Sequence, residues 1–167
     1  MSAKSVAQGG MFAALSLVLL LGSSLFPTLD YTLPAVAGLV PALLLIRGEK
    51  RAAVLVYAAT SLLALLLLPR RDVALFYSLM FGHYPLTKSA LERIPRRVLE
   101  YAAKFVVCAV CMGTTAAIMV FVMGLPLPEY SVWIGGAAGI AVFFLYDLGL
   151  SRLLDWLWRR FGQGNQF

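Results

Sequence analysis

The sequence predicts an all-α fold, an integral membrane bundle of six transmembrane helices, and three observations carry that expectation. Of 167 residues, 61% are hydrophobic and only 13% are charged, about half the charged share of an ordinary soluble domain. The mean hydropathy is +0.86. The apolar residues are gathered into runs that can cross ~30 Å of hydrocarbon, a distance of roughly 20 helical residues. The basic residues are concentrated in alternate connections between these runs. Because a backbone in hydrocarbon must satisfy its own hydrogen bonds, runs of this kind are read as helices. The length allows one transmembrane domain, 1–167, with no separate soluble module.

Span one covers about 8–26. It follows Lys4 in the manner of a signal peptide, but Gly22-Ser23-Ser24-Leu25-Phe26 is a poor small-x-small cleavage site, so it reads as a retained span. Within "AQGGMFAALSLVLLLG", Gly9 precedes Ala13 and Gly10 precedes Ala14, each by one helical turn. These pairs make a flat face that lets another helix approach closely. Span two, about 33–47, follows the loop "PTLDYTL" between Pro27 and Pro34. The charged turn Arg47-Gly48-Glu49-Lys50-Arg51 leads into span three, about 51–69. Span four is read at about 72–90, span five at about 98–124 and span six at about 131–158. Cys108 and Cys111 sit in an apolar run of span five. They read as small buried side chains, since the only histidine is distant in sequence and no second cysteine pair exists to complete a zinc site. No metal and no cofactor is expected. Tyr31, Tyr130 and Trp133 at one boundary, with Trp156 and Trp158 at the other, suit an aromatic belt. The closing "GQGNQF" reads as a frayed tail.

Charge sets the orientation. Of the 14 basic residues, only Arg70 and Arg71 fall outside if the N-terminus is cytoplasmic. The other outer loops, "PTLDY" and "LPLPEY", carry Asp30 and Glu129 but no lysine or arginine. The positive-inside rule therefore puts both termini in the cytoplasm of a multi-pass cell (inner or plasma) membrane protein. The net charge of +6 follows from this asymmetry and from pairing with the lipid bilayer's anionic inner leaflet, and gives no reason to expect nucleic acid.

Span four contains "FGHYPLTKSALERIPRR". Counted inward from Asp72, His83 lies about eleven residues along, roughly 16 Å deep at 1.5 Å per residue. Pro85 has no N–H for the Phe81 carbonyl, so the helix is expected to kink or break between Gly82 and Pro85. A freed carbonyl at that depth needs a protein partner or a wet cavity. Two readings are open: a structural kink whose histidine is satisfied by a neighbouring helix, or a helix interrupted at a midplane binding site. On the second, Tyr77, His83 and Tyr84 face the bundle interior with Thr114 and Thr115 of span five across the gap. They would suit an uncharged ring compound, with His83 acting as a neutral hydrogen-bonding group. Threonines in membrane helices also bond back to their own helix, which is the plainer reading of Thr114 or Thr115 taken singly. Nearer the inner face, Glu100, Lys104, Asp147 and Arg152 fall at similar depth, as an ion-pair cluster or as a coupling surface or proton-linked group.

The layout resembles the substrate-binding S components of energy-coupling factor (ECF) transporters and the small bacterial membrane proteins related to them. The likeness rests on "GGMFAALSLVLLL", a short loop, and "PAVAGLVPALLLIRGEKRAAVLVYAATSLLALLL". It implies that Gly9, Gly10, Ala13 and Ala14 dock on a transmembrane coupling subunit driven by two ATPases. It also implies a ligand site opening outward between the first loop and the last three helices. The chain has no N-terminal histidine such as a metal carrier of that family would use. The resemblance implies capture of a small organic, vitamin-like ligand without chemistry of the protein's own. Two alternatives stand beside it: a scaffold subunit that only docks helices, and an intramembrane enzyme using His83, Tyr84 and Lys88. For the enzyme, no nucleophile–base–orienter set, metal quartet or phosphate loop is present in the sequence.

The charge asymmetry is tested by topology. Reporter fusions or cysteine labelling are expected to find both termini on the cytoplasmic face, and termini on opposite faces would defeat an even number of spans.

Overall fold

The computed structural model describes residues 3–92, 94–122, 124 and 129–161; within these, the side chains of 3–5, 27, 129–135, 155 and 157–161 are left aside. The side-chain roles expected of Lys4, Arg93, Tyr130, Trp133, Trp158, Arg159 and Arg160, and the tail from 162, lie outside what is described. The chain is helical, with no strand among the described residues: α1 (Ala3–Leu25), a 3₁₀ turn (Pro27–Leu29), α2 (Thr32–Ile46), α3 (Lys50–Leu67), α4 (Arg71–Phe76), a π turn (Tyr77–Phe81), α5 (Tyr84–Leu91), α6 (Arg97–Phe121) and α7 (Glu129–Phe161).

Among the described residues, four stretches are long and apolar enough to cross a membrane: Val6–Leu25, Lys50–Leu67, Arg97–Phe121 and Gly136–Leu154. α2 is apolar but only 15 residues long. The expected fourth span is divided among α4, the π turn and α5. Met11, Val18, Leu62, Leu66, Val110 and Leu145 are all exposed. Such apolar exposure on long helices is what acyl chains solvate and water does not.

The shortest of these apolar helices is the most central. Ala37 of α2 packs with Leu20, Ala64, Val73 and Tyr77. Ala42 packs with Met80, Phe81, Tyr84, Phe143 and Leu150, and Val40 and Leu44 pack with Ala13, Ala53 and Val56. α2 thus joins all three apolar clusters. Small residues at Ala37, Gly38 and Ala42 let its neighbours come close, the usual way helices gain dispersion contact where no hydrophobic drive separates them from lipid.

Gly38 marks the tightest of these approaches. Pro85 has no N–H for the Phe81 carbonyl, and that carbonyl accepts instead from the Tyr146 hydroxyl of α7 at 3.3 Å. Just before it, the Gly82 N–H reaches back five residues to the Tyr77 carbonyl at 2.7 Å, the bond that defines the π turn. A Cβ on Gly38 would stand 2.5 Å from the Phe81 oxygen and 2.8 Å from the Tyr146 hydroxyl. Only hydrogen fits there.

Gly38→Ala is therefore expected to destabilise the protein by about 1–3 kcal/mol, the usual range for overpacking a close contact. Gly10→Ala, where nothing lies within 4 Å, is the control. Thermal unfolding in detergent reads both, and equal midpoints would remove the close-packing argument.

Candidate functional site

Two polar layers surround the interrupted helix. The first lies on α5, α6 and α7 and is built around Asp147, a carboxylate that is 4% exposed. Tyr84 donates to its Oδ1 at 2.6 Å, and the ammonium of Lys88 binds the same oxygen. Lys104 donates to Oδ2 at 3.2 Å. Lys88 is 1% exposed and also meets the Asp147 carbonyl at 3.3 Å, Ser151 Oγ at 2.7 Å and Glu92 at 3.1 Å. Lys104 pairs with Glu100 one turn before it, at 2.8 Å. Every charge in the layer has an opposite charge against it, the condition for tolerating ions in a low-dielectric interior.

Glu100, Lys104 and Asp147 are therefore brought together, while Arg152 is exposed and takes no part among the described residues. Lys88 occupies the place in the cluster that Arg152 was expected to fill. In the sequence Lys88 already has a local partner, Glu92 one turn on, which makes it look like an ordinary surface anchor. Its pairing with Asp147 spans 59 positions and leaves no local signal.

The second layer lies around the π turn. Tyr77, Ser16 of α1 and Thr60 of α3 are all fully buried, and the Tyr77 phenol faces the other two hydroxyls. Tyr77 is within hydrogen-bonding reach of Ser16 and Thr60, and Tyr57 of Ser61, although by strict geometry the hydroxyls of Ser16, Thr60, Tyr77, Ser61 and Ser78 have no partner among the described residues. Tyr57 donates to the Ser78 carbonyl at 2.8 Å. Gly82 closes this layer tightly, since a Cβ there would come within 2.9 Å of the Tyr57 ring and 3.0 Å of Tyr77. His83 sits at the edge with its Nε2 3.6 Å from Cys111 Sγ, and the ring lies within hydrogen-bonding reach of the Ser78 backbone, although its buried Nδ1 has no bond of strict geometry among the described residues.

Of the residues expected at a midplane site, Tyr77 belongs to the hydroxyl layer and Tyr84 to the charged layer, with His83 between them. Thr114 is exposed and bonds back to Val110 at 2.7 Å, and buried Thr115 bonds back to Cys111 at 2.8 Å. Neither hydroxyl joins the layer. Ser16, Tyr57, Thr60, Ser61 and Ser78 replace them, single polar side chains scattered over apolar runs with nothing in their spacing to link them. The small face of α1 is also divided. Ala13 is buried and Gly9 half-buried, with Val56 of α3 3.7 Å from where a Gly9 Cβ would stand, whereas Gly10 and Ala14 are exposed. Among the described residues, no group of three or more His, Cys, Asp or Glu could hold a metal ion.

No family model, curated protein or solved structure matches this chain.

The charged layer is expected to lock α5 to α6 and α7. Asp147→Asn keeps the shape but leaves two buried lysines short of an anion, and the expected loss is about 3–5 kcal/mol, as for other broken buried pairs. The double replacement Lys88→Met with Asp147→Leu removes both partners and is expected to recover part of that loss. Unfolding midpoints in detergent decide it: an Asp147→Asn midpoint equal to the wild type would show that the layer holds nothing together.

Proposed function

We propose that the protein is a membrane-embedded capture subunit for a small organic molecule, arranged as six spans with both termini cytoplasmic and doing no chemistry of its own. The observation that supports this reading is the hydroxyl layer at the broken helix. Tyr77, Ser16, Thr60, Ser61 and Ser78 offer neutral donors and acceptors with no fixed charge among them, and His83 adds a ring nitrogen at the edge. Such a set favours an uncharged, weakly polar compound over an anion, since an anion needs a cation or a helix N-terminus aimed at it. The lysines of the charged layer are already neutralised by Asp147 and Glu100. An interrupted helix supplies what a continuous one cannot, polar backbone and side chains turned inward at one level.

In this reading the exposed part of the α1 face, Gly10 and Ala14, meets a transmembrane coupling subunit that works with two ATPases, as in the ECF S components the sequence resembles. Gly9 and Ala13 serve the fold instead, holding α1 against α3 and α2.

Ligand retention tests the proposal. The protein purified alone is expected to carry a small molecule that mass spectrometry identifies. Tyr77→Phe, which removes one hydroxyl and keeps the ring, is expected to reduce retention about tenfold, the worth of one polar contact. His83→Ala is expected to weaken retention more than His83→Gln, which keeps a donor and an acceptor. Full retention in Tyr77→Phe, or no retained molecule in the wild type, would sink the reading.

A further inference from the structure

On the side opposite the charged layer, α3, α4 and α6 leave a cleft of about 790 Å³ between them. Its floor is apolar, formed by Leu65 of α3, Leu75 of α4, and Ile118 and Met119 of α6. Arg70, Arg71 and Asp72 stand at its polar end, with the Asp72 carboxylate taken up by Arg70. α4 begins at Arg71.

The two arginines differ. Arg70 is held by Asp30 and Asp72, each at 2.6 Å, which ties the loop after α1 to the start of α4. Arg71 is exposed and has no acidic partner among the described residues. A cation without an internal anion at the head of an apolar cleft has the polarity of an amphiphile in reverse. Guanidinium groups hold phosphate oxygens through paired charge-assisted hydrogen bonds, and the floor offers acyl chains a dry surface within the volume range of ligand sites.

We infer that this cleft binds one phospholipid with a net negative head group, its phosphate on Arg71 and an acyl chain along Leu65, Leu75, Ile118 and Met119. The site is separate from the hydroxyl layer and does not depend on the capture function. It faces the leaflet away from the basic loops. Phosphate without tails lacks the floor's contribution, and tails without phosphate lack the arginine's.

The full chain in detergent is titrated with phosphatidylglycerol, with diacylglycerol and with inorganic phosphate, following the unfolding midpoint and the lipid-bound mass by native mass spectrometry. Phosphatidylglycerol is expected to raise the midpoint and leave one tightly held copy, while the other two do neither. Arg71→Ala is expected to weaken that copy about tenfold, the loss of one charge-assisted contact, with Arg71→Lys intermediate. Met119→Trp, which fills the floor, is expected to displace the lipid even with Arg71 present. Stabilisation by phosphate alone would reduce the site to an anion contact and overturn the lipid assignment. Unchanged phosphatidylglycerol binding in Arg71→Ala would overturn it as well, because the many cytoplasmic basic residues would then account for the lipid.

Discussion

The arrangement depends on one missing amide proton. Pro85 cannot serve the Phe81 carbonyl, and in hydrocarbon that oxygen has to find a donor in the protein. Tyr146 of α7 supplies it at 3.3 Å. The reach of that hydroxyl brings α7 to the break, and the glycine at position 38 brings α2 there too. The π turn passes the lost register to Tyr77 and Gly82, so that Tyr77 points inward among the hydroxyls of α1 and α3 while Tyr84, on the far side of the break, reaches Asp147.

The two halves of this broken helix are anchored independently. α4 is tied through Arg70, its preceding residue, to Asp30 in the loop after α1. α5 is tied through Tyr84 and Lys88 to α7. Between the anchors lie the π turn and the Gly82-His83 turn, where contacts are aromatic and hydroxylic rather than ionic.

Hydropathy made the long helices legible, because bilayer thickness acts on runs of residues that a reader can count. Proline chemistry pointed to the stretch that is divided among α4, the π turn and α5, since the lost bond is local. What stayed hidden is long-range. The partnership of Lys88 with Asp147 joins two helices distant in sequence, and the i,i+4 pairing of Lys88 with Glu92 offered a sufficient local explanation for the lysine. Ser16, Thr60 and Ser78 each looked like an isolated polar residue in an apolar run. Thr114 and Thr115 looked more promising as a pair, but helix geometry turns adjacent residues 100° apart, and both hydroxyls bond to their own backbone. Gly9 and Gly10 show the same limit: one step along α1 separates an internal contact from an exposed one.

The span from Lys88 to Asp147 also imposes an order on biosynthesis. Lys88 leaves the ribosome 59 residues before its principal counter-charge, and Lys104 leaves 43 residues before it. Until α7 is made, α5 and α6 carry their ammonium groups with only Glu92 and Glu100 beside them, and Tyr84 has no carboxylate to bind. The last helix therefore completes the electrostatics of the two before it. Until it arrives, the insertion machinery has to keep α5 close to the aqueous boundary or within its own polar channel. A chain cut short before α7 would leave Lys88 and Lys104 with only their local counter-charges, Glu92 and Glu100.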